Sequence, residues 1–268
     1  MTTAAPVYLV KSRHTTPASL EKRFGGATVV DLTSKAPEPW VRFSPFYPHG
    51  GIPVPLSPGR SAQSVEGIWQ ALKVFEGEGV DVSKLENTTM RNLKRTVRRL
   101  GRCLGHRAGL EGEALLPYLE ARRALYLPAY RWVLEHKLHD ELGRLRELGR
   151  VAAAAGKPVI LLDYETNENV DDPSKPLSHA GLVVRFLGDD WPPPRPLESP
   201  LSKAASSWRS GATRGAGRQE QCARGRVAKR AARWWRSRGA RAGSRGAGRV
   251  TPLERSGRPG ATGAALTG

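Results

Sequence analysis

The segment Ser64-Val65-Glu66-Gly67-Ile68-Trp69-Gln70-Ala71-Leu72-Lys73-Val74-Phe75 carries apolar residues at Val65, Ile68, Trp69, Leu72 and Phe75. This is the spacing of an amphipathic helix, and it predicts one over residues 64–76. At ~100° per residue, Glu66, Gln70 and Lys73 fall within roughly 60° of one another and away from most of the apolar face. A carboxylate, an amide and an ammonium then share one stripe, as in a site. The same spacing also describes a solvated helix face with i,i+3 and i,i+4 pairs worth a few tenths of a kcal/mol, so both readings stay open.

Working outward, residues 36–58 concentrate Pro, Gly and the aromatics Trp40, Phe43, Phe46 and Tyr47. So many large apolar groups predict a packed irregular loop, and an ordered loop of that length raises the prior for a binding wall. Further upstream, Val7–Val10 and Ala27–Leu32 read as strands on either side of a helix, with Thr16 as N-cap, Pro17 as first helical residue and Gly25 as stop. Downstream, helices are expected over Thr88–Leu100, Glu113–Tyr126 and Ala129–Gly149, the last with a seam of Tyr130, Leu134, Leu138, Leu142 and Leu145. Arg98, Arg99 and Arg102 suit the negative end of the first of these helices. Pro158–Tyr164 reads as a buried strand with Asp163 near its end, and Pro176–Leu187 as a helix.

Charge separates the chain into two parts. Residues 1–190 hold 26 Lys and Arg against 22 Asp and Glu, whereas residues 191–268 hold 17 against 3. The formal charge of +18 therefore belongs mostly to the tail and says little about what the first part binds. We expect one α+β domain over residues 1–188, mainly helical with a small sheet, and an Arg/Gly/Ala-rich disordered tail over residues 189–268. Within the tail, Val227, Ala231, Trp234 and Trp235 among arginines could form a basic helix for RNA or membrane surfaces; a non-adapted or frame-shifted extension is the bland reading.

Cys103 and Cys222 lie in different segments and support neither a disulfide framework nor a metal cluster. The start of the chain lacks a basic n-region, and no apolar run approaches the ~20 residues of a membrane span. The expectation is a cytoplasmic protein. His136 and His139 have metal-compatible spacing but no third ligand, so no metal is assigned. Residues 163–172 form an acidic cluster, read as a polar turn in preference to a magnesium site. Ser178-His179 lacks the context of a nucleophile elbow, and no triad is assigned.

Ser44-Pro45-Phe46-Tyr47-Pro48 followed by residues 64–75 resembles the NADAR family, whose pattern is close to Ser-Asn-Phe-Tyr-Pro, a loop, then Ser-Val-Glu-His-x-x-Gln-x-x-Lys-Phe. It looks most like an uncharacterised bacterial relative of that family. The firm match covers about 30 residues, with a looser one reaching Leu187. Two positions depart from the pattern: Pro45 stands for its Asn and Gly67 for its His. The resemblance implies an N-glycosidase acting on a phosphoribosyl or ADP-ribosyl nucleotide-type substrate, with no cofactor.

The residues suit such chemistry. Breaking a C–N glycosidic bond builds an oxocarbenium-like centre, which a carboxylate stabilises while it positions or activates water. Glu66 is the candidate for that role, with Asp163 or Asp171 as a second carboxylate. Lys73, Arg102 and Arg107, and less strongly His106, could hold a phosphate, Gln70 matches the motif amide, and Tyr47 and Trp69 are candidates for the pocket wall. Two other classes remain: a non-catalytic nucleotide or ADP-ribose binding module, and a protein contacting nucleic acid non-specifically through its tail.

Overall fold

The structure, a computed structural model, describes residues 5–194. The basic tail and its Val227–Trp235 segment lie outside the described residues. In chain order, the first unit is β1 (Tyr8–Ser12), α1 (Pro17–Phe24) and β2 (Thr28–Asp31). The Thr16 side chain caps α1 by accepting from Ser19 N–H at 3.2 Å. Gly25 closes the helix, and the left-handed residue that turns the chain is Gly26, at φ 75°. The loop that follows contains a 3-10 turn at Trp40–Phe43, then β3 (Ile52–Pro53) and β4 (Ser61–Ala62), which pair as a short hairpin.

Next come α2 (Val65–Ala71) and β5 (Lys73–Phe75). The expected helix over residues 64–76 thus ends at Ala71, and Lys73 and Phe75 belong to a strand. The reason is tertiary. Leu72 closes the helix, and the next residues pair antiparallel with β6 (Cys103–Arg107), Lys73 opposite His106 and Val74 opposite Gly105. β7 (Leu115–Leu116) completes that sheet.

The helix expected over Thr88–Leu100 is confined to α3 (Val97–Leu100). Asn87 diverts the chain before it. Its Oδ1 accepts from Thr89 N–H and its amide donates to Arg91 O, while Met90 and Asn92 take positive φ. Such side-chain bonds compete with helix formation. The helix expected over Glu113–Tyr126 starts late, at α4 (Tyr118–Ala121), and runs through a π turn at Arg122–Tyr126 into α5 (Leu127–Lys137). Pro128 lacks the N–H for an ordinary turn and would crowd the carbonyl four residues back, which the wider π turn relieves. The chain breaks at Leu138 (φ −120°), so that α6 (His139–Ala154) is a separate helix, yet the seam from Tyr130 to Leu145 is buried as expected. β8 (Val159–Asp163) and α7 (His179–Leu187) close the domain.

Among the described residues the fold is a mixture of helices with three small sheets, where one was expected. In the first sheet β8 lies between β1 and β2, parallel to both, with Leu161 opposite Val10 and Val30. The strand-helix-strand unit is therefore a split pair with room for a third strand. β8 is buried on both faces, and alternation divides its side chains. Val159 and Leu161 join the main core, whereas Ile160 and Leu162 pack with Leu20, Phe24 and Ala27 under α1. The main core continues through Phe43, Ile52, Ile68, Leu125, Tyr130 and Leu134, so the irregular loop is packed as expected. No helix among the described residues is long and apolar enough to cross a membrane.

Candidate functional site

Glu66 is pinned from both sides by local structure. Ser64 caps α2 by accepting from Gly67 N–H at 3.0 Å, and Glu66 N–H donates to Pro45 O at 2.8 Å, which ties the helix to the Ser44–Pro48 loop. Gly67 sits where a Cβ would come within 2.6 Å of Lys84 O. The turn at Val82–Lys84 therefore occupies the space that the pattern's His would need. Glu66 is only 9% exposed, so of the two readings the stripe is an internal one and not a solvated face.

Its partners are fixed in turn. Gln70, fully buried, accepts from Arg95 N–H through Oε1 at 3.0 Å, which assigns its amide orientation; Nε2 then donates to Glu66 Oε1 at 2.8 Å. The Arg95 guanidinium donates to Gln70 O, Lys73 O and Gly79 O, so one buried side chain holds the end of α2 and the start of β5. Glu78 and Asp81 balance its charge, at 3.5 and 3.9 Å.

Lys73 and His106, cross-strand neighbours, are buried beside this cluster. The His106 ring lies against Trp69 with centroids 3.8 Å apart and the planes tilted by 35°, and Trp69 meets Tyr118 and Tyr126 edge-on at 5.8 and 5.9 Å. Trp69 and Tyr126 keep part of their surface open, and Tyr118 is exposed. Tyr118 is held by Arg122, whose guanidinium lies over its ring at 4.8 Å and donates to its hydroxyl. Lys94 stands over the Phe46 ring, in the loop ahead of α2, at 5.4 Å.

Burial pushes the Glu66 carboxyl above its ordinary range, opposed by the Gln70 hydrogen bond and by Lys94 and Lys73. Burial also lowers Lys73, against which Cys103 and Glu66 act. His106 is held well below its ordinary value by burial and by Lys73, so the imidazole is neutral. Tyr126 is raised well above its ordinary value by burial and then by the charges of Glu66 and Asp163. A desolvated carboxylate on which the charges of Lys94 and Lys73 act can take up a proton, oppose a developing cation and share its surroundings with an anion.

The remaining residues singled out by sequence stand apart. Arg102 is exposed and paired with Glu76 at 3.0 Å. Arg107 donates to Gly112 O at 2.9 Å, within its own turn. Tyr47 packs against His49, with the Arg42 guanidinium over its ring, facing α5 and α6. Asp163 is buried and saturated: its Oδ2 accepts from Ser178 Oγ, Ala180 N and His179 Nδ1 at 2.7, 3.2 and 3.0 Å. Asp171 is on the surface with Arg123 at 2.6 Å. Among the described residues no group of three or more His, Cys, Asp or Glu could hold a metal ion. His136 bonds to Trp132 O on an exposed helix face.

The family model of a family of unknown function (DUF6939) matches residues 12–183, from the end of β1 to the middle of α7. The chain belongs to the DUF6939 family. No curated protein and no solved structure matches it. The DUF6939 match takes in the second and third sheets, all of the first but most of β1, and the whole cluster around Glu66, and it stops short of the basic tail. Sequence reasoning missed Lys94, Tyr118 and Tyr126 within the DUF6939 match. The signal for Tyr126 was its place four residues before Tyr130 on the buried seam, but nothing in spacing alone brings Lys94 to Glu66.

Proposed function

We infer that this chain hydrolyses the N-glycosidic bond of a phosphoribosyl or ADP-ribosyl nucleotide-type substrate, with Glu66 as the catalytic carboxylate. The observation that carries this reading is the Glu66 carboxyl itself: buried, held by a Gln70 amide that the Arg95 N–H orients, and acted on by the charges of Lys94 and Lys73. The resemblance around Ser44–Pro48 and Ser64–Phe75 supplies the reaction class.

Desolvation raises the proton affinity of Glu66, which suits a base acting on water. Water adds to the anomeric carbon as the C–N bond breaks. The bond pair leaves with the base nitrogen, Glu66 takes the proton from water, and the same proton then passes to the departing base. Glu66 also opposes the positive charge that develops on the sugar. Lys94 and Lys73 are the cations whose charges act on Glu66, and they replace Arg102 and Arg107 as the residues to hold phosphate. Trp69, Tyr118 and Tyr126 offer apolar walls for the base.

A second reading, a binding module without turnover, draws on position 67. The Lys84 carbonyl fills the space of the pattern's His, so whatever that side chain contributes elsewhere is absent here. The test uses the full chain and Glu66→Gln with ribosyl-pyrimidine phosphates and ADP-ribosylated nucleotides, following released base by mass spectrometry. Release by the parent, lowered at least 100-fold in Glu66→Gln, is the expected result. Binding without release by either protein would sink the hydrolase reading in favour of the binding module.

A further inference from the structure

Few buried side-chain nitrogens lack a hydrogen-bond partner among the described residues: Arg42 Nε, Arg95 Nε, Arg107 Nε, Arg123 NH1 and both ring nitrogens of His106. The four arginines bond through their other nitrogens, to Lys137 O, to the carbonyls behind α2, to Gly112 O and to Asp171. His106 is different, because its whole polar capacity is unused while the residue is only 2% exposed. Buried polar groups in native structures are almost always paired, so an exception calls for a reason.

Packing does not provide one. His106 packs against Trp69 and lies opposite Lys73 in the β5–β6 ladder, and an apolar ring would fill the same space without leaving nitrogens bare. Nor does charge, since an imidazolium beside the Lys73 ammonium would be repelled. A neutral imidazole offers one donor and one acceptor. A phosphate oxygen can satisfy only the donor, and a second cation would serve it better. A hydroxyl both donates and accepts, so it pairs with either nitrogen in either tautomer.

We propose that His106 is a specificity-determining residue that hydrogen-bonds a sugar hydroxyl of the ligand, leaving phosphate to Lys73 and Lys94. This deepens, and rests on, the reading of the site as one for ribosyl phosphates. Both nitrogens are buried, so the hydroxyl site is closed in the free protein until the groups around the ring shift.

The test compares the full chain with His106→Phe, which keeps the stacking ring and removes both nitrogens. Binding of ribose 5-phosphate and of inorganic phosphate is measured by calorimetry, alongside thermal melting of each protein. The parent should prefer ribose 5-phosphate by about tenfold or more, the variant should lose most of that preference, and phosphate affinity should stay within about twofold. His106→Phe should melt no lower than the parent, because an unsatisfied buried group is removed. A parent without the preference, or a variant that keeps it, would overturn the proposal. A variant that melts lower is paired with His106→Leu; if both lose stability and keep the preference, His106 is structural. The reaction is read separately: His106-dependent preference without base release leaves this inference standing while the hydrolase falls, and Glu66-dependent release with the preference intact in His106→Phe does the reverse.

Discussion

Replacing Asp163 by Asn tests whether this carboxylate serves chemistry or architecture. The two ring nitrogens of His179 face Asp163 Oδ2 at 3.0 Å and Leu32 O at 2.8 Å. Both are acceptors, so both nitrogens must carry protons and His179 is an imidazolium. Burial pushes Asp163 up, but His179, Ser178 and the Ala180 N–H together bring it below its ordinary 3.8; burial lowers His179, and Asp163 and Leu32 O bring it above its ordinary 6.5. Removing one charge of a buried pair costs about 3–5 kcal/mol, and Asn keeps an oxygen for some of the donors, which places Asp163→Asn near about 3 kcal/mol. The Asp163 part of the stabilisation is present above 3.8 and fades as pH falls through its lowered value; the His179 part is present below 6.5 and fades as pH rises through its raised value. Urea unfolding of parent and variant should therefore differ most between about pH 4 and 6.5, with the gap closing on either side. A gap under about 1 kcal/mol near pH 6, or one that widens steadily toward pH 9, would refute the buried ion pair.

Two further substitutions probe the frame of the site. Gly67→Ala gains about 1 kcal/mol of helix propensity, but its Cβ would stand 2.6 Å from Lys84 O and 3.0 Å from Ser64 Oγ, and overpacking against backbone costs about 1–3 kcal/mol. The expected outcome is a net loss of about 1 kcal/mol in urea unfolding, and a stabilised variant would show that the Lys84 turn gives way. Arg122→Met removes donors to Asn169 O, Val170 O, Asp172 O, Lys175 O and the Tyr118 hydroxyl. It should lower stability by about 3 kcal/mol or more and speed proteolytic cleavage within residues 167–177. Unchanged cleavage would mean that the loop holds without its arginine.

The elements legible in the sequence are those decided by local chemistry. The Thr16 cap, Pro17 and the glycine pair fix α1 without help from the rest of the chain. The apolar run before Asp163 could only be a buried strand, and the seam from Tyr130 to Leu145 keeps its period across the break at Leu138. The errors lie where long-range partners override periodicity. Val65, Ile68, Leu72 and Phe75 fit a helix as well as they fit a helix followed by a strand, and only β6, about thirty residues later, decides between them. At the site, Glu66 and Gln70 were recognisable as a pair from i,i+4 spacing, whereas their burial was not. A polar stripe reads as solvent-facing unless one knows that Pro45, Lys84 and Arg95 close over it.

That early end of α2 is what makes a site out of a polar stripe. Had the helix continued, Lys73 would have stood one turn beyond Gln70 on the same face, with no strand to bring His106 opposite it. Helix ends leave carbonyls without partners, and here Arg95 satisfies Gln70 O and Lys73 O while Leu72 N–H still bonds Ile68 O. Its backbone N–H orients Gln70, and Gln70 orients Glu66. One buried arginine thus ends the helix, starts the strand and sets the carboxyl through a single amide. Its own charge is balanced on the far side by Glu78 and Asp81, so it can hold Glu66 in place without pairing with it. A carboxylate placed in this way stays desolvated and free of a direct cationic clamp, the condition under which its proton affinity remains high.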